Sequence, residues 1–186
     1  MPRGRLAVDV GAAEGIWSWF LGRCARAVVA FEANPENVEK IRRRLPRVQV
    51  YAVALSNCEG EADLRIPIVR GQEFTGWATI EPANSHTALK VEGTRTIRVP
   101  TRPLDAYKLE DVGFIKIDVE GHELAVLEGA VKTIRRNQPV ILVEAEDRHR
   151  PRAIESVNAM LAGLGYQAAP KYSALSSPNM LLFVPI

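Results

Sequence analysis

The chain has 186 residues, enough for one domain with a real core, and its 47% hydrophobic and 25% charged residues describe an ordinary soluble globular protein. A net charge of +2 is too small to demand a nucleic-acid partner, and no apolar run approaches the ~18 residues of a membrane span. The two cysteines, Cys24 and Cys58, form neither a disulfide framework nor a metal-ligand spacing, so a cytoplasmic, reducing compartment is expected. The start, Met1-Pro2-Arg3-Gly4-Arg5, is too short for a signal peptide before the first strand.

Leu6 to Val10 reads as a short buried strand that enters a glycine-punctuated turn, Gly11-Ala12-Ala13-Glu14-Gly15, and then a helix from Ile16. A nucleotide-like ligand must lie against bare backbone, which Gly11 and Gly15 permit because they carry no Cβ. The helix that follows turns its unpaired N–H groups toward the same spot. The pattern D-x-G-x-A-x-G stands close to the dinucleotide fingerprint G-x-G-x-x-G without matching it, and alone it also describes a plain strand–helix turn.

From Ile16 to about Cys24 the spacing predicts a helix with Ile16, Phe20 and Cys24 on one face, and with Trp17 and Trp19 as packing residues elsewhere. Ala27 to Phe31 is a second apolar run, ending at Glu32. Asn34 then caps a helix whose first position is Pro35 and whose inner face is Val38, Ile41 and Leu45. Arg42, Arg43, Arg44 and Arg47 read as a solvated helix end suited to the C-terminal dipole. Val48 to Val53 is a strand, Asn57 to Gly60 a turn, and a further strand runs through Ala62 to Ile66. Residues 67–96 look like an inserted loop or lid, because Phe74, Trp77 and Ile80 are scattered through an irregular stretch. Thr96 to Val99 is an edge strand.

Phe114 to Ile117 runs into Asp118-Val119-Glu120-Gly121-His122-Glu123 and then a helix carrying Leu124, Leu127, Val131 and Ile134. Val140 to Val143 is a buried strand ending at Glu144. Ile154, Val157, Leu161 and Leu164 mark a helix closed by Gly165, and Met180 to Val184 is the last strand. Strands and helices alternate and the strands are almost wholly apolar. That predicts an α/β fold, one domain over 1–186, with a parallel sheet covered on both faces.

Ligands of such a sheet bind beyond the carboxyl ends of its strands, so the residues that end each strand are the candidates. Glu32 lies 17 positions after Gly15 and can accept hydrogen bonds from both ribose hydroxyls of an adenosine; a carboxylate placed near the helix start for dipole reasons is the alternative. Backbone at Ala54, Leu55 and Ser56 could meet an adenine edge. Asp118, Glu120, His122, Glu123 and Glu144 are denser than helix capping requires. Clustered carboxylates raise one another's pKa, which suits a general base, and they can also hold a divalent cation. There is no P-loop, no G-x-S-x-G elbow and no H-E-x-x-H.

Taken together, V-D-V-G-A-A-E-G, A-F-E-A-N-P, A-L-S-N-C-E-G-E-A, F-I-K-I-D-V-E-G-H-E-L-A-V-L-E-G-A and P-V-I-L-V-E resemble the FkbM family of S-adenosylmethionine-dependent methyltransferases. The resemblance runs from about Leu6 to Glu144, with a continuation to the final N-M-L-L-F-V-P strand. It implies a Rossmann-like class I methyltransferase sheet of seven strands, the last antiparallel, and O-methylation of a small-molecule or sugar acceptor. By matching position, Asp9, Gly11, Ala12 and Gly15 would cradle the methionine part of S-adenosylmethionine. Glu32 with Ala33 would hold the ribose, and Ala54 and Leu55 would flank the adenine. Asp118 would face the reactive methyl, with Glu120, His122 and Glu144 around the acceptor; no metal ligand is assigned. Relatives of this type carry a segment before the first strand that helps cover the cofactor, and only about five residues precede it here. The 67–96 loop and a partner subunit are therefore expected to close the site, in a homodimer, unless the chain is a shortened form. Trp77 and His86 are expected on the acceptor side.

Three other readings stay open. Strand, glycine turn and ribose acid are shared with nicotinamide-dependent oxidoreductases, although Ala13 replaces their central glycine and no Tyr-x-x-x-Lys pair is present. A nucleic-acid methyltransferase would rest on Arg42 to Arg44 alone, without a D/N-P-P-Y motif or a Pro-Cys pair. A non-catalytic cofactor-binding scaffold is the third.

Overall fold

The computed structural model describes residues 4–84, 90–169 and 179–186. In chain order the strands are β1 (Leu6–Val10), β2 (Ala27–Glu32), β3 (Gln49–Ala52), β4 (Ala54–Leu55), β5 (Gly60–Val69), β6 (Gln72–Glu73), β7 (Gly93–Arg102), β8 (Val112–Ile117), β9 (Val140–Glu144), β10 (Tyr166–Ala168) and β11 (Met180–Pro185). The α-helices are α1 (Ile16–Leu21), α2 (Pro35–Arg44), α3 (Glu123–Glu128), α4 (Val131–Asn137) and α5 (Ala153–Gly163). One seven-stranded sheet runs in the order β10-β11-β9-β8-β1-β2-β3. Its neighbours are parallel except that β11 is antiparallel to both β10 and β9, as the family resemblance implied. The strands that carry the expected acids, β1, β2 and β8, lie side by side at its centre, so their ends face one crevice.

The main apolar core fills one face of this sheet. There Val8, Val10, Ile115, Ile117, Ile141 and Val143 meet Val126 and Leu127 of α3, Ile134 of α4, and Val157 and Leu161 of α5. On the other face Ala7, Val28, Phe114 and Leu142 pack against Leu21 of α1. Asn34 caps α2 as expected: its side chain accepts the Glu36 N–H at 3.0 Å, and Pro35 takes the first turn.

Four sequence expectations need correction. The first helix stops at Leu21, and its buried face is Ser18 and Leu21; Ile16 and Phe20 are 77% and 46% exposed. The inversion has a polar cause. The Ser18 hydroxyl donates to the buried Asp9 carboxylate at 2.6 Å, which turns that side of the helix inward. Second, order penetrates the supposed 67–96 loop from both ends. β5 pairs with the long β7 in an antiparallel hairpin, and a separate four-stranded sheet forms in the order β4-β7-β5-β6. Leu64 and Ile66 on β5 meet Val99 on β7 in a small core of their own, which the alternating pattern of β7 supports. Third, the helix expected through Leu124 and Ile134 is two helices. The chain breaks at Gly129, where a Cβ would stand 2.1 Å from the Ser56 carbonyl oxygen, so the turn is packed hard against the end of β4. Fourth, β10 was not foreseen: three residues are too few to show a period.

Candidate active site

A cleft opens where β1, β2 and β8 end. The cleft brings together eight of the residues singled out from the sequence: Gly11, Glu32, Ala33, Ala54, Leu55, Asp118, Glu120 and His122. Asp9, Ala12, Gly15 and Glu144 are not on its wall. Phe31, Val53 and Leu64 add apolar surface, and Thr75, Gly76, Ala78 and Ile80 close it from the β6–β7 region. Trp77 packs on Phe74, with ring centroids 5.8 Å apart, and is not on the wall. His86 lies outside the described residues.

The glycine turn is fixed by close approach. Gly11 has φ +71°, and a Cβ there would lie 1.8 Å from the Asp118 carbonyl oxygen, so the end of β1 is pressed on the end of β8. Gly15, at φ +87°, leaves room for Leu45 and Ile41. Ala12, almost fully buried, packs with Ala30 and Ile41 behind the cleft.

Glu32 ties the two sides of this turn together. One carboxylate oxygen accepts the Ala13 N–H at 2.7 Å and the other the Asn34 N–H at 2.8 Å. Each oxygen keeps a lone pair, so the group can still accept two hydroxyls from the cleft. Burial pushes its pKa up to about 7, against the pull of those two N–H donors.

Asp9 does not touch the cleft; it is wholly buried and works through Lys116. The Lys116 ammonium, 1% exposed, donates to the Gly11 carbonyl at 3.0 Å and stands 3.6 Å from Asp9 Oδ1 and 3.3 Å from Asp118 Oδ2. Burial opposes its charge, but Asp9 and Asp118 outweigh burial and hold its pKa above the ordinary lysine range. Lys116 escaped the sequence reading, yet a lysine inside Phe114-Ile115-Lys116-Ile117 was the signal, because a charge in a buried strand needs partners.

The acids meet after β8. Glu120 takes a left-handed backbone, φ +56°, and its carbonyl accepts the Thr79 hydroxyl and the Asn84 amide, both at 2.8 Å. Its carboxylate lies 3.2 Å from His149 Nε2. Burial, reinforced by Asp118 and Glu144, pushes Glu120 up to about 8. Glu144 hydrogen-bonds Asp118, and burial with the Asp118 charge raises it to about 7. Glu123 serves the backbone instead: its carboxylate accepts the Gly121 N–H at 2.9 Å and the Val119 N–H at 3.3 Å, and burial lifts it to about 7. His122 has Ser56 Oγ 2.9 Å from Nε2 and Glu81 Oε2 3.2 Å from Nδ1. Among the described residues no group of three or more His, Cys, Asp or Glu side chains is arranged to hold a metal ion. No helix among them is long and apolar enough to cross a membrane.

The profile of the methyltransferase FkbM domain matches residues 9–168, most of the chain. The chain belongs to the FkbM methyltransferase family. Its fold is close to a methyltransferase FkbM from Methylobacillus flagellatus KT, with TM-score 0.66 at 18% identity over 97% of this chain; the chain spans only 43% of that protein. A Streptococcus mutans protein assigned as a methyltransferase, solved in complex with SAH, superimposes with TM-score 0.55 at 11% identity, over 99% of this chain and 89% of its own. An rRNA methylase from Streptococcus thermophilus does so with TM-score 0.53 at 13% identity, over 100% and 88%. No curated protein sequence matches the chain. The FkbM match spans the glycine turn, Glu32 and the Asp118–Glu123 turn, so the family segment and the cleft coincide.

The cleft of this FkbM chain also fits the cofactor of its family by its own chemistry. Glu32 offers two free lone pairs at the end of β2, as a ribose needs. Phe31, Val53 and Leu55 give an apolar slot for a base, and Asp118 adds a carboxylate to the same wall, the charge a cationic sulfonium calls for.

Proposed function

We propose that this chain is an S-adenosylmethionine-dependent methyltransferase that places the methyl on a hydroxyl oxygen of a small-molecule or sugar acceptor. The observation that carries the reading is one cleft with two kinds of carboxyl. Glu32 is anchored through both oxygens to backbone N–H groups, while Asp118 and Glu120 line the same cleft, Glu144 hydrogen-bonds Asp118, and burial raises Glu120 to about 8 and Glu144 to about 7. S-adenosylmethionine, when bound, supplies a methyl group already activated on a sulfonium.

What the protein adds is alignment and proton removal. Glu32, with the Gly11 turn, would fix the nucleoside, and Asp118 would set the reacting end opposite the acceptor oxygen. On accepting the methyl, the acceptor hydroxyl would have to lose its proton to a group of this chain. Asp118 and Glu120, which line the cleft, would take it, with Glu144 hydrogen-bonded to Asp118. A cation in the cleft would lower the raised pKa of Glu120 and of Glu144, so the bound state would hold more carboxylate than the free protein. A homodimer that shields the open side of the cleft belongs to the same proposal.

Calorimetric titration with S-adenosylhomocysteine and with NAD tests the cofactor class. Binding of the first alone supports the proposal, and binding of NAD alone overturns it. With binding in hand, transfer of a labelled methyl to a panel of polyols and sugars, in the wild type and in Asp118→Asn, tests the reaction. A hydroxyl acceptor whose turnover falls at least ~100-fold in the variant, with S-adenosylhomocysteine affinity retained, is the expected result.

A further inference from the structure

His122 lines the cleft, yet neither of its ring nitrogens is free. A carboxylate oxygen only accepts, so the proton facing Glu81 sits on Nδ1, and in the neutral ring Nε2 accepts the Ser56 hydroxyl. The two partners come from different parts of the chain. Ser56 directly follows β4, while Glu81 belongs to the stretch between β6 and β7 that walls the cleft with Thr75, Ala78 and Ile80.

That stretch grips the acidic turn at a second point. The Thr79 hydroxyl and the Asn84 amide converge on the Glu120 carbonyl, and Thr79 Oγ1 also accepts the Glu81 N–H at 2.9 Å. The approach depends on Gly121, where a Cβ would come within 3.2 Å of Glu81 Cγ and 3.0 Å of His149 Cβ. Arg65 anchors the stretch from β5 through the carbonyls of Glu81 and Asn84.

We propose that Glu81 is a positioning residue, which acts through His122 to hold the wall of the cleft opposite the glycine turn. The inference rests on the methyltransferase reading in so far as that wall is the acceptor side. Through His122 and Ser56 the stretch is tied to β4, and through Thr79 and Asn84 it fixes the backbone that carries Glu120. A ring engaged at both nitrogens is a strut, which leaves proton removal to Asp118 and Glu120.

The chain has three histidines, so nitrogen-15 spectra of histidine-labelled protein can be assigned by removing them one at a time. In the wild type at pH 8 the His122 signals should be those of the Nδ1–H tautomer. Glu81→Gln, whose amide oxygen still accepts from Nδ1–H, should keep it. Glu81→Ala should lose it, and amide exchange at Thr79 and Glu81 should then speed up at least ~10-fold, against under ~3-fold in the glutamine variant. An Nε2–H tautomer in the wild type, or an alanine variant unchanged in both tautomer and exchange, overturns the proposal. Failure of the methyltransferase reading shows separately, as wild-type protein that keeps the Nδ1–H tautomer and does not bind S-adenosylhomocysteine.

Discussion

Glu32→Gln separates recognition from scaffolding at the end of β2. The carboxylate accepts two backbone N–H groups, at 2.7 and 2.8 Å, and glutamine has one carbonyl oxygen to offer. Its NH₂ must face the Ala13 or the Asn34 N–H, donor against donor, which costs the fold about 1–3 kcal/mol. On the cleft side one charged acceptor for the ribose hydroxyls is lost, about 1.5–3 kcal/mol, or roughly 10- to 150-fold in Kd. The assay is calorimetry with S-adenosylhomocysteine at pH 8, above the Glu32 pKa of about 7, with urea denaturation run alongside. If the variant loses stability and binds within about twofold of the wild type, Glu32 only ties the turn to α2, and the ribose assignment is refuted.

Three further outcomes follow from the same geometry. Lys116→Met strands the buried Asp9 without its counter-charge and should cost about 3–5 kcal/mol in urea denaturation, with part restored by adding Asp9→Asn. Gly11→Ala puts a Cβ 1.8 Å from the Asp118 oxygen at φ +71°, and should lower stability by more than about 2 kcal/mol and weaken S-adenosylhomocysteine binding. The third concerns pH. Glu32 and Glu123 (about 7) and Glu120 (about 8) hold their protons more tightly folded than unfolded. Their contribution is therefore full below about pH 4.5 and is lost as pH rises through 7 to 8. The ligand-free protein should denature at lower urea at pH 8.5 than at pH 5.5, a difference of a few kcal/mol, and a midpoint that rises over this range would contradict the buried acids.

Much of the sheet was legible because its strands are short apolar runs that end in acids, and the cap at Asn34 announces itself by residue type. What stayed hidden depends on partners far away in sequence. The first helix was expected to bury Ile16 and Phe20, and the bond from Ser18 to Asp9 turns another side inward. The break at Gly129 comes from the Ser56 carbonyl, which no local pattern contains. β5 and β7 were seen only in part, because a hairpin across an irregular excursion gives few turn signals at its ends. In the cleft, the acids after β8 were visible as a cluster. Their division of labour was not, since Glu123 binding backbone N–H groups and Glu144 bonding Asp118 are matters of direction rather than spacing. Glu81 gives no motif at all, and Ser56 was visible only as backbone in the A-L-S-N-C-E-G-E-A segment; only the fold sets their side chains on either side of His122.

The pairing of β1 with β8 carries a consequence for how the molecule is made. Leu6 lies beside Val112, roughly a hundred residues further along the chain. A ribosome must therefore deliver the whole excursion through β4 to β7 before the central strand acquires its second neighbour. Until then β1 presents an almost wholly apolar open edge, the kind of edge that recruits other chains. Folding should be slow for a domain of this size and should gain most from whatever shields that edge during synthesis. Yield in cells is then set by the interval between making β1 and making β8, and slower translation of the segment between them should lengthen the exposure and lower the soluble fraction.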